Sequence, residues 1–128
     1  MADQMPKIGT FCWNELATND PDKAREFYTE LLGWTVTEMP MPSGTYTMFK
    51  AGEAQAGGMF KITPEMGQVP PHWMGYITVE DADETAKKVE QLGGKVAVPP
   101  MDVPGVGRMI TVIDPTGATV SMMAFPKK

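Results

Sequence analysis

The 128-residue sequence has very few of the side chains from which proteins build disulfides and metal sites. Cys12 is the only cysteine and His72 the only histidine. One chain therefore forms no internal disulfide, no three-histidine zinc site, and no site of two histidines and one carboxylate. We predict that the protein uses neither a metal nor another cofactor. A single cysteine is typical of the reducing cytosol, so we also predict a cytoplasmic location.

Basic charge and long apolar runs are scarce as well. The net charge of −5 argues against nucleic acid as a partner, because clustered Lys and Arg must neutralise phosphates. No apolar run approaches the roughly 20 residues that span a bilayer. The first residues, MADQMPKIGT, lack a basic segment followed by an apolar one, so the sequence predicts neither a secretory signal nor a membrane partner. The length suits one domain with a sizeable core.

The segment after residue 19 carries a clear helix signal. Asp20 and Pro21 are typical of an N-cap followed by the first helical position, and Gly33 is typical of the residue that ends a helix. Between them, five apolar residues recur at helical spacing: Ala24, Phe27, Tyr28, Leu31 and Leu32. The pattern predicts an amphipathic helix that buries this one face.

A second helix signal repeats the first. Asp81 and Glu84 form a capping-box pattern, an apolar stripe follows, and a pair of glycines ends it. Seven residues lead from Met74 to Asp81, as seven lead from Trp13 to Asp20. Such a repeat indicates two copies of one supersecondary unit that complete a core together.

Strand patterns surround each predicted helix and give the order βαβββ twice. The predicted strands are residues 11–17, 35–38, 45–51 and 55–62 in the first copy, and 73–79, 95–98, 108–113 and 118–124 in the second. We therefore predict an α+β fold for a single domain of residues 1–128. It consists of two tandem βαβββ modules, at about 8–62 and 72–125, joined by a proline-rich linker at 63–71.

Three segments carry a resemblance to a known family: ELATNDPDKAREFYTELLGW, AGGMF and IDPTGATVSMM. Together with the βαβββ repeat, they resemble the vicinal oxygen chelate superfamily, which includes glyoxalase I, the extradiol dioxygenases and the bleomycin-resistance proteins. The resemblance implies a cup-shaped, curled mixed β-sheet with helices on its outer face. It also implies a homodimer, and leaves open whether the cup is built within one chain or across two.

Enzymes of that superfamily hold a divalent metal through four strand positions. Carried over by the resemblance, these positions fall at Trp13, Gly57, Met74 and Ser121. None of the four is a carboxylate or an imidazole, the usual ligands of such metals. The resemblance therefore implies a member of the superfamily that works without the metal.

Side-chain alternation along the strands predicts which residues line the cup, because neighbouring residues point to opposite faces. The predicted ligand-binding residues are Trp13, Glu15, Gly57, His72, Met74, Tyr76, Arg108, Ser121 and Met123. Met59 is expected to face the cup as well, and Trp73 to pack under the second helix. His72 is either a polar residue at the start of its strand, or it forms a weak metal site with Glu15. Two ligands are too few for a tight metal site.

Glu15 is the candidate general base. A carboxylate beside a tryptophan is costly to bury unless it is paired, and a partly buried carboxylate is suited to proton transfer. Its partner is expected to be an arginine such as Arg108, a ligand cation or water.

Three functions are consistent with these residues, and the sequence does not decide among them. The first is a metal-independent, glyoxalase-like or bleomycin-resistance-like protein that binds a small organic molecule of unidentified nature. The second is a lyase, isomerase or hydroxylase of the superfamily with an atypical site that uses Glu15. The third is a dimeric interaction or regulatory module whose cup is plugged by its own side chains. Metal-dependent glyoxalase or dioxygenase activity is not expected.

Overall fold

A computed structural model describes residues 6–41, 44–66 and 68–126. Its elements are β1 (Phe11–Thr18), α1 (Pro21–Leu32), β2 (Thr35–Met41), β3 (Gly44–Ala51), β4 (Ala54–Lys61), β5 (His72–Thr78), α2 (Ala82–Gln91), β6 (Lys95–Val103), β7 (Gly107–Ile113) and β8 (Thr119–Ala124). The predicted α+β class and the repeated βαβββ order are confirmed. The predicted linker contains a short 3-10 turn, Pro64–Met66, and its residue 67 lies outside the described residues. No described helix is long and apolar enough to cross a membrane.

The chain forms two compact units. The first unit is Trp13–Met74, and the second contains residues 6–12 together with the chain from Gly75 onward. In the first unit the strand order is β2-β3-β4-β1. β1 runs parallel to β4, while β2, β3 and β4 pair antiparallel.

Helix α1 begins and ends where the sequence predicts. The Asp20 carboxylate accepts a hydrogen bond from the Lys23 backbone N–H at 3.1 Å, which satisfies one of the donors left open at a helix start. Gly33 closes the helix at φ 72°, a left-handed conformation that glycine adopts without steric cost. The predicted buried face is only partly right, because Phe27 and Leu31 are 56% and 62% exposed.

The core of the first unit lies between α1 and its sheet. Its buried side chains are Leu16, Phe49 and Met59, and they pack with the partly buried Ala24, Tyr28, Trp34, Val36 and Ala56. Met59 therefore faces α1, not the face predicted for it. We call this side of the sheet the helix face and the opposite side the site face.

Trp73 also belongs to the helix side of the first unit. Its Nε1–H donates to the Tyr28 hydroxyl at 3.0 Å, and its ring meets Tyr28 edge to face with centroids 5.5 Å apart. Tyr28 in turn stacks on Trp34 at 5.7 Å. The prediction that Trp73 packs under the second helix is therefore wrong.

The second unit repeats the same arrangement, with the strand order β5-β8-β7-β6 and β5 parallel to β8. Asp81 caps α2 by accepting from the Glu84 N–H at 3.0 Å. The buried core between α2 and this sheet consists of Ala82, Ile110, Val112 and Ala124. Residues that alternate with Ile110 and Val112 on β7 therefore point away from α2.

Candidate functional site

Three side chains of the first unit meet on its site face. The Trp13 Nε1–H donates a hydrogen bond to the Tyr46 hydroxyl at 3.0 Å, and the Tyr46 O–H donates to Glu15 Oε2 at 2.8 Å. Leu16, the next residue after Glu15, is 6% exposed and packs in the helix-face core, so by alternation Trp13 and Glu15 point to the other face. The prediction that Trp13 and Glu15 share the face opposite the helix is confirmed by this geometry.

Tyr46 reaches its partners by crossing a whole strand. It lies on β3, while Trp13 and Glu15 lie on β1, and β4 runs between these two strands. Two strand spacings amount to about 10 Å, so the phenol must pass directly above β4. A side chain on β4 at that point would block it.

Gly58 is the residue of β4 that lets the phenol pass. It pairs with Glu15 on one side and with Met48 on the other, and a Cβ atom built on Gly58 would collide with the Tyr46 hydroxyl. Glycine in a strand often marks such a close approach. The pair of glycines in AGGMF is the sequence signal that could have located this site.

Gly57 serves a different purpose from the one predicted for it. It pairs with Phe49, a core residue, so it belongs to the helix face. A Cβ atom on Gly57 would lie 2.7 Å from the Asn14 carbonyl oxygen and 3.6 Å from the Trp73 ring. The prediction that Gly57 faces the cup is therefore wrong, and Gly58 is the glycine of β4 that lies on the site face.

The internal repeat supports this correction. In the first unit β1 and β4 pair Glu15 with Gly58, and in the second unit β5 and β8 pair Tyr76 with Ser121. Since Glu15 and Tyr76 stand at matching positions of the two copies, Gly58 matches Ser121. The one-residue error came from aligning two turns of different length.

The electrostatics keep a proton on Tyr46. Burial raises the pKa of the Tyr46 hydroxyl far above its ordinary value of 10.0, and the nearby Glu15 carboxylate raises it further, while the hydrogen bond from Trp13 acts in the opposite direction. The phenol therefore stays neutral at any physiological pH. Its single proton is the one donated to Glu15.

The second unit carries a cluster of polar and sulfur-containing side chains on the face away from α2. Ser121 is 1% exposed, and its Oγ lies 2.7 Å from Thr111 Oγ1 in a buried hydrogen bond. The Tyr76 hydroxyl donates to Met109 Sδ at 3.9 Å, and Met123 pairs with Met109. The predicted common face of Tyr76, Ser121 and Met123 agrees with this register, and their role in binding stays a prediction.

Arg108 lies on the opposite face from that cluster. It pairs with Ala124 of the core against α2. Its Nε donates to Asp83 at 2.9 Å and its Nη1 to Asp102 at 2.9 Å. These contacts tie α2 to the β6–β7 hairpin, and a ligand contact through Arg108 stays a prediction. Arg108 is therefore not the partner that was expected for Glu15, which accepts a hydrogen bond from Tyr46.

His72 and Met74 alternate with Trp73, which points toward α1. The two side chains therefore point to the other face of β5. His72 Nδ1 lies 2.8 Å from the Pro70 carbonyl oxygen, which requires the proton on Nδ1 and gives His72 a local structural partner. A ligand-binding role for either residue stays a prediction.

An open groove of about 600 Å³ lies in the second unit, between the start of α2, the β6–β7 turn and the residues after β8. Its walls include the carboxylates of Asp81, Asp83 and Asp102. Asp81 caps α2, and the other two bind Arg108. These three carboxylates therefore have structural roles.

The residues at the family's metal positions do not fit a divalent metal. The indole N–H of Trp13 is a donor, already bonded to Tyr46, and cannot bind a metal. Gly58, which occupies the position first assigned to Gly57, has no side chain to act as a ligand. Met74 offers a thioether, a soft ligand, and the Ser121 hydroxyl is engaged with Thr111. Hard divalent metals prefer carboxylate, carbonyl or imidazole ligands. Among the described residues, no three His, Cys, Asp or Glu side chains form a group that would hold a metal ion.

Comparison with known proteins agrees with the fold and the repeat. Residues 7–122 match the family model of the Glyoxalase/Bleomycin resistance protein/Dioxygenase superfamily, and the chain belongs to this family. The chain is 44% identical to "Putative glyoxylase CFP32" of Mycobacterium tuberculosis over 118 residues, 91% of the chain. It is 34% identical to "Anthracycline biosynthesis protein DnrV" of Streptomyces peucetius over 127 residues, 89% of the chain. The matches span only 44% and 46% of those two relatives.

Solved structures show the same fold at low sequence identity. The methylmalonyl-CoA epimerase of Mycobacterium tuberculosis superposes with a TM-score of 0.65 at 13% identity, covering 98% of this chain and 95% of that one. An extradiol ring-cleaving dioxygenase from B. fuscum gives 0.64 at 20% identity, covering 95% of this chain and 34% of that one. At these identities the likeness establishes the fold, and the activities belong to those proteins.

Proposed function

We propose that this protein binds a small organic molecule on the site face of its first unit, without a resident divalent metal. The observation that carries the proposal is the Trp13–Tyr46–Glu15 hydrogen-bond network. It holds an aromatic ring and a carboxylate side by side in fixed positions. Apolar walls with a few precisely placed polar groups are typical of small-molecule sites.

Each member of the network has a part in this proposal. Trp13 provides a flat aromatic surface, oriented by its bond to Tyr46, on which a ligand ring stacks. Glu15 provides the acceptor that fixes the ligand's polar end. Tyr46 holds both in place. The name of one relative, an anthracycline biosynthesis protein, lends support to an organic ligand with aromatic rings.

The proposal is tested on the purified full chain by metal analysis and native mass spectrometry. We expect less than stoichiometric divalent metal and retention of an organic molecule, or uptake of one from a fragment library. Trp13→Ala should abolish that uptake while leaving far-UV circular dichroism unchanged. A stoichiometric metal whose binding is lost in Glu15→Gln would contradict the proposal.

A second candidate is an enzyme of the superfamily that uses Glu15 as a base. The observation that favours it is the 2.8 Å contact between Glu15 and Tyr46, which sets an acceptor beside a protonated hydroxyl that stays neutral. A carboxylate held in a fixed orientation by a neighbouring hydroxyl is the arrangement expected of a positioned general base. Turnover of a bound molecule that disappears in Glu15→Gln, with binding retained, would favour catalysis over simple binding.

The predicted homodimer is also part of the proposal. Helix α1 exposes Phe27, Leu31 and Leu32 to 56%, 62% and 50%, and adjacent exposed apolar side chains often mark an interface. A second copy of the chain would cover them. Analytical ultracentrifugation should give a dimer that Leu31→Glu dissociates, and a monomeric parent protein would refute this part.

The cytoplasmic location follows from the single cysteine and stays a prediction. It is tested by fractionation of cells that produce the native protein.

A further inference from the structure

Thr78, the last residue of β5, carries an unpaired buried hydroxyl. Its Oγ1 is the one buried side-chain oxygen or nitrogen without a hydrogen-bond partner in the parts of the chain that the structure describes. The residue is 3% exposed. Its backbone is satisfied, since the N–H donates to the Thr10 carbonyl and the C=O accepts from the Gly9 N–H. Buried polar groups are nearly always paired, so this exception indicates a group that bonds something other than its own chain.

Thr78 ends a row of side chains that crosses the second unit from strand to strand. Thr78 pairs with Met123 of β8. Met123 pairs in turn with Met109 of β7, and Met109 pairs with Met101 of β6. Side chains of paired residues lie on the same face of a sheet. Because Ile110, next to Met109, packs in the core against α2, the whole row lies on the face away from α2.

Exposure falls steadily along this row toward the unpaired hydroxyl. Met101 is 47% exposed, Met109 is half-buried, Met123 is 8% exposed and Thr78 is 3% exposed. The three methionines, which we call the methionine row, are unbranched side chains with three rotatable bonds. Such side chains adapt to the shape of a ligand, and their sulfur atoms make favourable contacts with aromatic rings. The methionine row therefore forms an adaptable apolar path from the surface to Thr78.

The surroundings of the row favour an uncharged ligand. The row itself consists of three thioethers and one hydroxyl, and an ion buried among them would lose its hydration at a high cost. Lys95 shares this face through its pairing with Ile113, but Ile113 is four positions from Met109, about 13 Å along a strand. Asp102 and Arg108 belong to the other face, where they bind each other.

We propose that the second unit binds a neutral organic molecule with an apolar or aromatic body along the methionine row, and that the Thr78 hydroxyl donates a hydrogen bond to a carbonyl oxygen of that molecule. This site goes beyond the proposed function, which concerns the first unit. A carbonyl oxygen accepts a hydrogen bond and brings no proton of its own. A ligand hydroxyl or amine would bring a proton for which the row offers thioethers, which are weak acceptors.

The test uses three probes with one aromatic frame: acetophenone, which has a carbonyl; ethylbenzene, which has no polar atom; and benzoate, which is charged. The full chain is labelled with carbon-13 at its methionine methyl groups. The resonances of Met109 and Met123 are identified by their loss in Met109→Leu and Met123→Leu. We expect acetophenone and ethylbenzene to shift both resonances saturably. Benzoate should bind at least about tenfold more weakly than acetophenone, because its charge is costly to bury there.

Variants of Thr78 isolate the hydrogen bond. Thr78→Val exchanges the hydroxyl for a methyl group of similar shape, so it should weaken acetophenone binding about fivefold and leave ethylbenzene binding unchanged. Thr78→Ser keeps a hydroxyl and should retain acetophenone binding. The matched control is Thr47→Val, since Thr47 is also 3% exposed but pairs with Met59 of the first unit's core. This control should change neither probe.

Thermal unfolding provides a second readout of the unpaired hydroxyl. A buried hydroxyl without a partner contributes nothing to the folded state, so Thr78→Val should unfold at the same temperature as the parent protein or at a higher one. A lower midpoint would show that the hydroxyl is already bonded in the free protein, for example to a water, and would overturn the assignment.

The remaining outcomes separate this inference from the proposed function. If Thr78→Val affects acetophenone and ethylbenzene equally, the hydrogen bond from Thr78 is refuted. Benzoate that binds as tightly as acetophenone would refute the neutral ligand class. If no probe shifts Met109 or Met123, the site in the second unit is refuted. The proposed function is judged separately, by the indole N–H resonance of Trp13 in nitrogen-15-labelled protein, and stands or fails without this site.

Discussion

Replacing Gly58 by alanine should disrupt the site more than its small size suggests. The added Cβ would collide with the Tyr46 hydroxyl and lie within 2.8 Å of the ring carbon Cε2. The phenol must then leave its place above β4. Overpacking of this kind costs about 1–3 kcal/mol, and the lost hydrogen bond to the Glu15 carboxylate adds about 1–2 kcal/mol. We expect a loss of about 3 kcal/mol in the free energy of unfolding.

The assay is urea unfolding followed by far-UV circular dichroism, together with the Trp13 indole N–H resonance. A double-mutant cycle with Tyr46→Ala isolates the collision, because in that background no phenol lies above Gly58 and the added methyl should cost less than about 1 kcal/mol. A Gly58→Ala protein that loses less than about 0.5 kcal/mol and keeps the Trp13 resonance unchanged would refute the packing described here.

Three further predictions concern the second unit. Asp81→Ala should lower the free energy of unfolding by about 1 kcal/mol, measured by urea unfolding, because the α2 cap is lost. Hydrogen bonding to Arg108 holds the pKa of Asp83 below its ordinary value of 3.8. The stability that Asp83 contributes is therefore present above about pH 4 and is lost as the pH falls through its lowered pKa. In acid unfolding, Asp83→Asn should not show this pH-dependent loss of stability. Thr111→Val should cost about 1–3 kcal/mol because the Ser121 hydroxyl, 1% exposed, loses its partner, and Ser121→Ala added to it should recover part of that loss.

The helix ends and the repeat could be predicted from sequence because their signals are local. Asp20 caps α1 through a residue three positions away, and Asp81 caps α2 in the same way. The alternation that places Trp13 and Glu15 on one face is likewise a property of a single strand. Such short-range rules do not depend on how the strands are later arranged.

Tyr46 could not be found in this way because its role depends on strand order. It lies 31 residues from Glu15 in the sequence, and only the arrangement β3-β4-β1 brings the two together. The glycines were misassigned for a related reason. An irregularity between Phe49 and Lys50 shifts the pairing of β3 with β4, and the two units differ in the turn before the last strand.

The prediction that one face of α1 is buried was only partly right, for a different reason. Helical spacing identifies apolar residues on adjoining faces without showing how much of that surface the sheet covers. Ala24 and Tyr28 pack into the core, whereas Phe27 and Leu31 lie further around the helix and are exposed. Exposed aromatic and aliphatic residues of this kind are informative only once the structure is known.

The central claim is that an organic ligand binds beside Trp13 and Glu15 without a metal. The most direct test is a titration of the nitrogen-15-labelled protein with small aromatic compounds from a fragment library, in EDTA and again with added divalent metal, followed at the Trp13 indole N–H. We predict that at least one compound gives the same saturable shift in both, and that Glu15→Gln weakens its binding. Shifts that occur only with added metal, or no shift from any compound, would contradict the claim.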